Sequence, residues 1–108
     1  MERKRILFVC PKGNYSSGYA RDFKRFLADK GHENEFEVSH MALTANLAAH
    51  GFDEQTLHNS NHIVAVWDNT IREITTYVKP PMQIPIHSFK KLLISGEDWK
   101  DALLKKIL

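Results

Sequence analysis

The residues with the clearest capacity for chemistry lie in one short stretch, CPKGNYSS at positions 10–17. This stretch holds the chain's single cysteine, Cys10, and joins an apolar run to a helix-like segment. The first backbone N–H groups of a helix are unpaired and carry the positive end of its dipole, so anions bind well there. A thiol in that position ionises more readily and becomes a nucleophile near neutral pH. The stretch therefore predicts an anion site with a nucleophilic Cys10 or, alternatively, a buried cysteine before an ordinary turn.

Several residues of the loop are suited to holding a phosphate group. Gly13 lets a ligand approach the backbone closely. Ser16 and Ser17 offer hydroxyls, one to cap the helix and one to hydrogen-bond a thiolate or a phosphate oxygen. Lys12 brings an ammonium group, unless it is a solvated loop lysine. The predicted phosphate-binding residues are Lys12, Gly13, Asn14, Tyr15, Ser16 and Ser17.

Three residues outside the loop are candidates to assist it. Arg21 follows Ser17 by one helical turn and could fold back over the anion, or it could form a surface ion pair with Asp22. His87 could act as a general acid because its ordinary pKa lies near ~6.5, or it could be a locally bonded histidine. Asp68 could reach the same site or serve only as a charge at a helix N-terminus.

Composition excludes several classes of protein. The chain has 108 residues, a length that predicts one domain over residues 1–108. Its formal net charge is +2, which argues against a nucleic-acid partner. We expect no membrane partner, because no apolar run approaches the roughly 18 residues of a span. A single cysteine forms no internal disulfide, and no signal-peptide pattern opens the chain, so a cytoplasmic location is predicted.

The six histidines raise the question of a metal ion. Their only metal-like spacing is the pair His58 and His62. That pair spans a predicted loop-to-strand boundary rather than one helical face, so we predict no metal and no other cofactor.

Strands and helices are predicted to alternate along the chain. Strand patterns occupy residues 5–9, 36–38, 63–67 and 83–86. Helical patterns occupy residues 17–30, 53–58, 69 or 70 to 77, and 97–108. Gly31 ends the first helix, and Ser95 opens a capping-box-like start for the last. Trp67 and Trp99 are both predicted to pack inside.

This alternation predicts an α/β three-layer sandwich, a parallel sheet with helices on both faces. In such sheets ligands bind outside the carboxyl ends of the strands. The predicted strand ends are at Cys10, at Trp67 and Asp68, and at Ile86 and His87. We therefore expect these residues to lie along one edge and to form the site.

Three blocks of sequence, in order, resemble low-molecular-weight protein tyrosine phosphatases. ILFVC…GN…S…A…F…FL is similar to the family's first strand, its C-x5-R-S loop and the helix after it. HIVAVWDNTIREI is similar to its third strand and following helix, and IPIHSF…SGEDWKDALLKKI to its acid-loop segment and closing helix. The resemblance implies that Cys10 is the nucleophile, that Ser17 supports its thiolate, and that the four strands lie in the order 2-1-3-4.

The sequence departs from that family at two catalytic positions. Ser16 stands where the family has its phosphate-binding arginine, and the glycine and asparagine sit one place later. The segment PIHS stands where the family has its Asp-Pro general acid, and it contains no carboxylate. The resemblance therefore implies a phosphatase-like protein whose hydrolysis of phosphate monoesters is weak or lost.

Two other functions stay open. The B components of lactose- and cellobiose-type sugar phosphotransferase systems have a C-x-x-G-x-S-x-S loop on the same sheet plan. Cys10, Gly13 and Ser17 fit that spacing, while Tyr15 replaces the first serine. This resemblance implies a phosphocysteine carrier that needs no loop arginine. The third possibility is a non-enzymatic module that binds an anion or a protein. The expected partners are thus phosphate, a phosphorylated ligand or a protein.

Overall fold

The computed structural model describes residues 3–11, 14–43 and 54–108 of the chain. The strands in these ranges are β1 (Lys4–Cys10), β2 (Phe36–Ala42), β3 (His62–Ala65) and β4 (Ile86–Ser88). The helices are α1 (Asn14–Asp29), α2 (Glu54–His58), α3 (Asp68–Tyr77), α4 (Phe89–Leu93) and α5 (Trp99–Ile107). Strands and helices alternate as the sequence predicts, with α4 added.

The four strands form one parallel sheet in the order β2-β1-β3-β4. Cys10 stands opposite Ala42 of β2, and Val9 stands opposite Ala65 of β3. The predicted α/β sandwich with strand order 2-1-3-4 is therefore confirmed. The strands end together along what we call the carboxyl edge, which contains Cys10, Ala42, Ala65 and Ser88.

Two apolar clusters cover the two faces of the sheet, because alternate strand residues point to opposite sides. Ile6, Phe8 and Cys10 of β1 belong to the cluster that contains buried residues of α1, α4 and α5. Leu7 and Val9 belong to the cluster that contains buried residues of α2 and α3. The thiol of Cys10 therefore points into the α1–α5 side of the molecule.

Helix α1 is amphipathic and buries one face on the sheet. Ala20, Phe23 and Leu27 repeat at helical spacing and are almost fully buried. Gly31 follows the helix with a φ of 80°, a left-handed conformation that glycine adopts without steric cost, as predicted for its end. No helix in the described ranges is long and apolar enough to cross a membrane.

The sequence-based boundaries are wrong at several elements. Helix α1 begins at Asn14 rather than at residue 17, β2 continues to Ala42 rather than ending at residue 38, and β3 ends at Ala65 rather than at residue 67.

The boundaries of β4 and the starts of two later helices also differ from the prediction. β4 occupies Ile86–Ser88 rather than residues 83–86, because pairing with β3 begins at the carbonyl of Pro85. Helix α3 begins at Asp68 with Trp67 as its N-cap, rather than with Asn69 or Thr70. Helix α5 begins at Trp99, because the Asp98 side chain accepts the backbone N–H of Lys100 at 2.9 Å and caps it.

Candidate functional site

Cys10 is the last residue of β1 and is held at the centre of the carboxyl edge, where it is 1% exposed. The backbone carbonyl of Cys10 accepts the N–H of Leu43 at 3.0 Å, and the carbonyl of Val9 accepts the N–H of Val66 at 2.9 Å. Chain segments that continue both neighbouring strands therefore fix the end of β1. As a result the thiol has a defined place under the start of α1.

Ser16 is the residue that meets the thiol. The Cys10 thiol donates to Ser16 Oγ at 3.3 Å, and the Ser16 backbone N–H donates to Cys10 Sγ at 3.4 Å. Ser16 is fully buried in the first turn of α1, where backbone N–H groups have no partner within the helix. Since a hydroxyl can rotate to donate or to accept, Ser16 is able to serve the thiol and to stabilise the thiolate.

The charge of α1 favours an anion at this place. The helix has 16 residues and no acidic residue in its first turn, so the positive end of its dipole is not offset there. The Ser16 backbone N–H lies in this first turn and points at Cys10 Sγ. The start of α1 is therefore suited to an anion beside Cys10.

Ser16 also occupies the place that the phosphatase-like alignment gives to arginine. Its side chain points inward to Cys10 and carries no charge. An arginine offers two charge-assisted hydrogen bonds to a phosphoryl group, and one neutral hydroxyl does not replace them. The carboxyl edge thus holds Cys10 in contact with Ser16 and has no guanidinium at position 16.

Two aromatic side chains border the site and were not predicted as a pair. Tyr15 and Trp67 are 59% and 49% exposed, and their rings meet edge to face at 5.8 Å. The prediction that Trp67 packs inside is wrong, because the strand ends at Ala65 and leaves the indole on the rim. A groove of about 430 Å³ opens beside Trp67, with Tyr19 and Phe89 among its lining residues. An apolar part of a ligand fits such a groove.

Asp68 lies at the carboxyl edge with an evident structural partner. Ser88 Oγ donates to Asp68 Oδ1 at 2.6 Å, and Ser88 also caps α4 by accepting the backbone N–H of Lys91 at 3.3 Å. The carboxylate of Asp68 therefore connects the start of α3 to the end of β4. Sequence reasoning missed Ser88, since its position at the strand end depends on where β4 pairs with β3.

His87 is directed away from Cys10. It is the middle residue of β4, opposite Val64, and its Nε2 lies 3.0 Å from His62 Nδ1. His62 begins β3 opposite Ile6, four residues before Cys10 on β1 and therefore ~13 Å along the strand. The sequence-based prediction put His87 on the carboxyl edge because it ended the strand at residue 86, whereas β4 ends two residues later at Ser88.

The surroundings of this histidine pair keep it uncharged. Burial, His62 and Lys106 lower the pKa of His87 to about 4. Burial and Lys4 also lower the pKa of His62. At neutral pH the ring of His87 therefore holds no proton beyond its single N–H, which makes it a poor general acid.

The remaining predicted site residues divide into three groups. Arg21 lies on the exposed face of α1, with its Nε 4.0 Å from Asp22 Oδ1, as in the ion pair considered from the sequence. Ser17 is half-buried beside Ser16, and the backbone of Asn14 begins α1. Lys12 and Gly13 lie outside the described residues. Within those residues no group of three or more potential metal ligands comes together.

Comparison with known proteins identifies the fold. No protein-family profile and no curated protein matches the sequence. Among solved structures, the crystal structure of YfkJ from Bacillus subtilis is similar, with a TM-score of 0.70 over 90% of this chain and 76% of that chain. The two sequences are 16% identical, so the similarity shows a shared α/β fold.

Proposed function

We propose that this chain is a divergent low-molecular-weight tyrosine-phosphatase-like protein. It binds a phosphate group at Cys10 through donors in the first turn of α1, and its hydrolysis of phosphate monoesters is weak or lost. The observation that carries the proposal is the convergence of the Ser16 N–H and hydroxyl on Cys10 Sγ, at 3.4 and 3.3 Å. The three similar sequence blocks support the same function.

The chemistry available to this arrangement is nucleophilic. The Cys10 thiolate attacks phosphorus, the P–O bond to the leaving group breaks, and the leaving oxygen takes a proton from water. Water then attacks the phosphocysteine, which releases phosphate and restores the thiol. Ser16 stabilises the thiolate at the start and end of this sequence.

Two absences make turnover slow. Loss of one preorganised donor to the transition state costs about 3–4 kcal/mol, or roughly 10²–10³-fold in rate. Ser16 provides no guanidinium, and the PIHS segment provides no carboxyl group. The imidazole of His87, which belongs to that segment, is hydrogen-bonded to His62 instead.

Restoring arginine tests this assignment. We expect Ser16→Arg to raise the turnover of para-nitrophenyl phosphate by ~10²-fold, because the guanidinium returns to the position that the alignment requires. Tyr15→Arg is the matched control, since it adds the same charge one residue away on an exposed side chain. Circular dichroism establishes that both variants fold.

The two variants distinguish a restored phosphatase-like loop from a general effect of added charge. A gain in Ser16→Arg alone supports a phosphatase-like loop. An equal gain in Tyr15→Arg, or no gain in a folded Ser16→Arg, would contradict it.

One observation favours a phosphocysteine carrier as the second candidate. The Ser16 backbone N–H donates to Cys10 Sγ, and the Ser16 hydroxyl, which accepts from the thiol, is able to rotate and donate. Neutral groups of this kind form a cradle that needs no arginine. Incubation with a histidine-phosphorylated carrier protein and detection of an acid-labile phosphate on Cys10 would favour this function. Failure of both experiments leaves the non-enzymatic binding module.

A further inference from the structure

A basic groove lies between α1 and the outer strand β2, on the α1–α5 side of the sheet. Its volume is about 460 Å³. Its cationic lining residues are Arg3, Arg21, Lys24 and Arg25. The groove borders Phe36, which stands opposite Lys4, six residues and ~20 Å along β1 from Cys10. It is therefore separate from the carboxyl edge.

The positive charge of this groove is largely uncompensated. In residues 3–11, 14–43 and 54–108, no carboxylate lies within ion-pair distance of Arg3, Lys24 or Arg25. The Glu37 carboxylate, which also borders the groove, is 3.5 Å from Arg5 Nε and so is already matched. Glu33 is the other lining carboxylate. An anionic partner would therefore gain from several cations at once.

The floor of the groove is apolar and belongs to a strand edge that has no neighbour among the described strands. Phe36 and Val38 of β2 and Leu27 of α1 line it. Among the described strands β2 pairs with β1 alone, so no described strand occupies the N–H and C=O groups of its outer edge. An extended chain can add to such an edge as a new strand, with alternate side chains facing the groove.

We propose that this groove binds an extended acidic segment of a partner protein, which pairs with the outer edge of β2 and places carboxylates against Arg3, Lys24 and Arg25. Strand pairing holds the backbone of the segment, the cations select its acidic residues, and the floor accepts apolar residues between them. The apolar floor and the strand edge favour a peptide over a nucleic acid, because neither feature recognises phosphates or bases. A partner bound here leaves the carboxyl edge uncovered.

Charge reversal tests the electrostatic part of this proposal. The probe is a fluorescent peptide of alternating Glu and Val, and its binding is measured by anisotropy at low salt. We expect Lys24→Glu with Arg25→Glu to weaken binding at least ~10-fold. Arg72→Glu with Lys79→Glu is the matched control, because both side chains are exposed on the α3 side and the change in net charge is the same. In that control the affinity for the peptide should fall by no more than about twofold, the effect expected from the change in net charge alone.

Two further probes test the strand part and the class of partner. N-methylation of alternate peptide amides should abolish binding for one set of positions and spare the other, since only one edge of the added strand faces β2. Equal effects of both sets, equal losses in the two double variants, or no binding of the Glu-Val peptide would overturn the proposal. Tighter binding of a single-stranded oligonucleotide than of the peptide would also overturn it.

Discussion

Two polar pairs lie on the same face of the sheet, at different positions along the strands, and they differ in the charges that surround them. At the carboxyl edge, Cys10 meets the N–H and hydroxyl of Ser16 at the start of a helix. Toward the amino end, His62 meets His87, with the ammonium groups of Lys4 and Lys106 acting on them. The first pair lies at the start of α1, where the helix dipole favours an anion, while the second pair is surrounded by cations that favour neutral histidines. We propose that position along the strands, rather than residue type alone, decides which pair takes part in chemistry.

The largest expected effect separates the two pairs by activity. In the Ser16→Arg background, Cys10→Ser should lower aryl phosphate turnover at least ~100-fold, because it removes the nucleophile. His87→Phe in the same background should stay within about twofold. Steady-state rates measured from about pH 5 to about pH 8 give both values. An equal fall in the two variants would contradict the assignment of chemistry to the carboxyl edge alone.

The histidine pair should instead appear in the pH dependence of stability. Unfolded His87 binds a proton near its ordinary pKa of 6.5, whereas the folded ring binds one only near a pKa of about 4. Between these values the unfolded chain holds more protons, so the stabilising contribution present above pH 6.5 is lost as the pH falls toward 4. Because the ring is partly exposed, we expect wild type to lose roughly 1–2 kcal/mol more than His87→Phe over this range.

Urea unfolding at the two ends of that pH range measures the difference. His40→Gln is the control, since His40 is exposed on β2. We expect the stability of this variant to change with pH as the stability of wild type does. If His87→Phe and wild type lose stability equally on acidification, the two pairs do not differ as described.

A smaller effect concerns the Ser16 hydroxyl. Ser16→Ala should lower the free energy of unfolding by about 1 kcal/mol, because a buried thiol loses one hydrogen-bond partner while the backbone N–H remains. The same variant should weaken phosphate binding several-fold, measured by the phosphate-dependent shift of the residue 16 amide signal in NMR spectra. Unchanged stability and unchanged phosphate binding together would mean that the hydroxyl supports neither the thiol nor the anion.

The smallest expected effect is at Asp68. Asp68→Asn keeps an acceptor for Ser88 Oγ but removes a charge from the first turn of α3, so we expect a loss of about 0.5–1 kcal/mol in unfolding free energy. Turnover in the Ser16→Arg background should change by less than about threefold. A much larger loss of turnover would give Asp68 a direct part in proton transfer and would extend the site along the carboxyl edge.

Sequence patterns predicted the parts of the fold that are locally determined. The run RILFV and the stripe Ala20, Phe23 and Leu27 identify β1 and α1, because burial imposes their periodicity. These two elements alone place Cys10 beneath a helix start. Trp99 was likewise predicted to pack, and its ring lies against Phe8 and Phe23 in the core.

The parts that sequence did not predict depend on pairing between distant residues. His62 and His87 are 25 positions apart, and they meet only because β3 and β4 pair in one particular register. The same register puts Ser88, rather than His87, on the carboxyl edge. Trp67 has a large aromatic side chain of the kind that often packs in a core. Because β3 ends at Ala65, however, Trp67 lies on the rim beside Tyr15. No local pattern contains this information.

A crystal structure of the protein soaked in phosphate tests the central claim most directly. We predict one phosphate at the start of α1, with an oxygen accepting the Ser16 backbone N–H and the phosphorus ~3.5–4 Å from Cys10 Sγ. Phosphate found only in the basic groove beside β2, with the Ser16 N–H still on Cys10 Sγ, would contradict the account. That result would leave Cys10 as a buried structural cysteine.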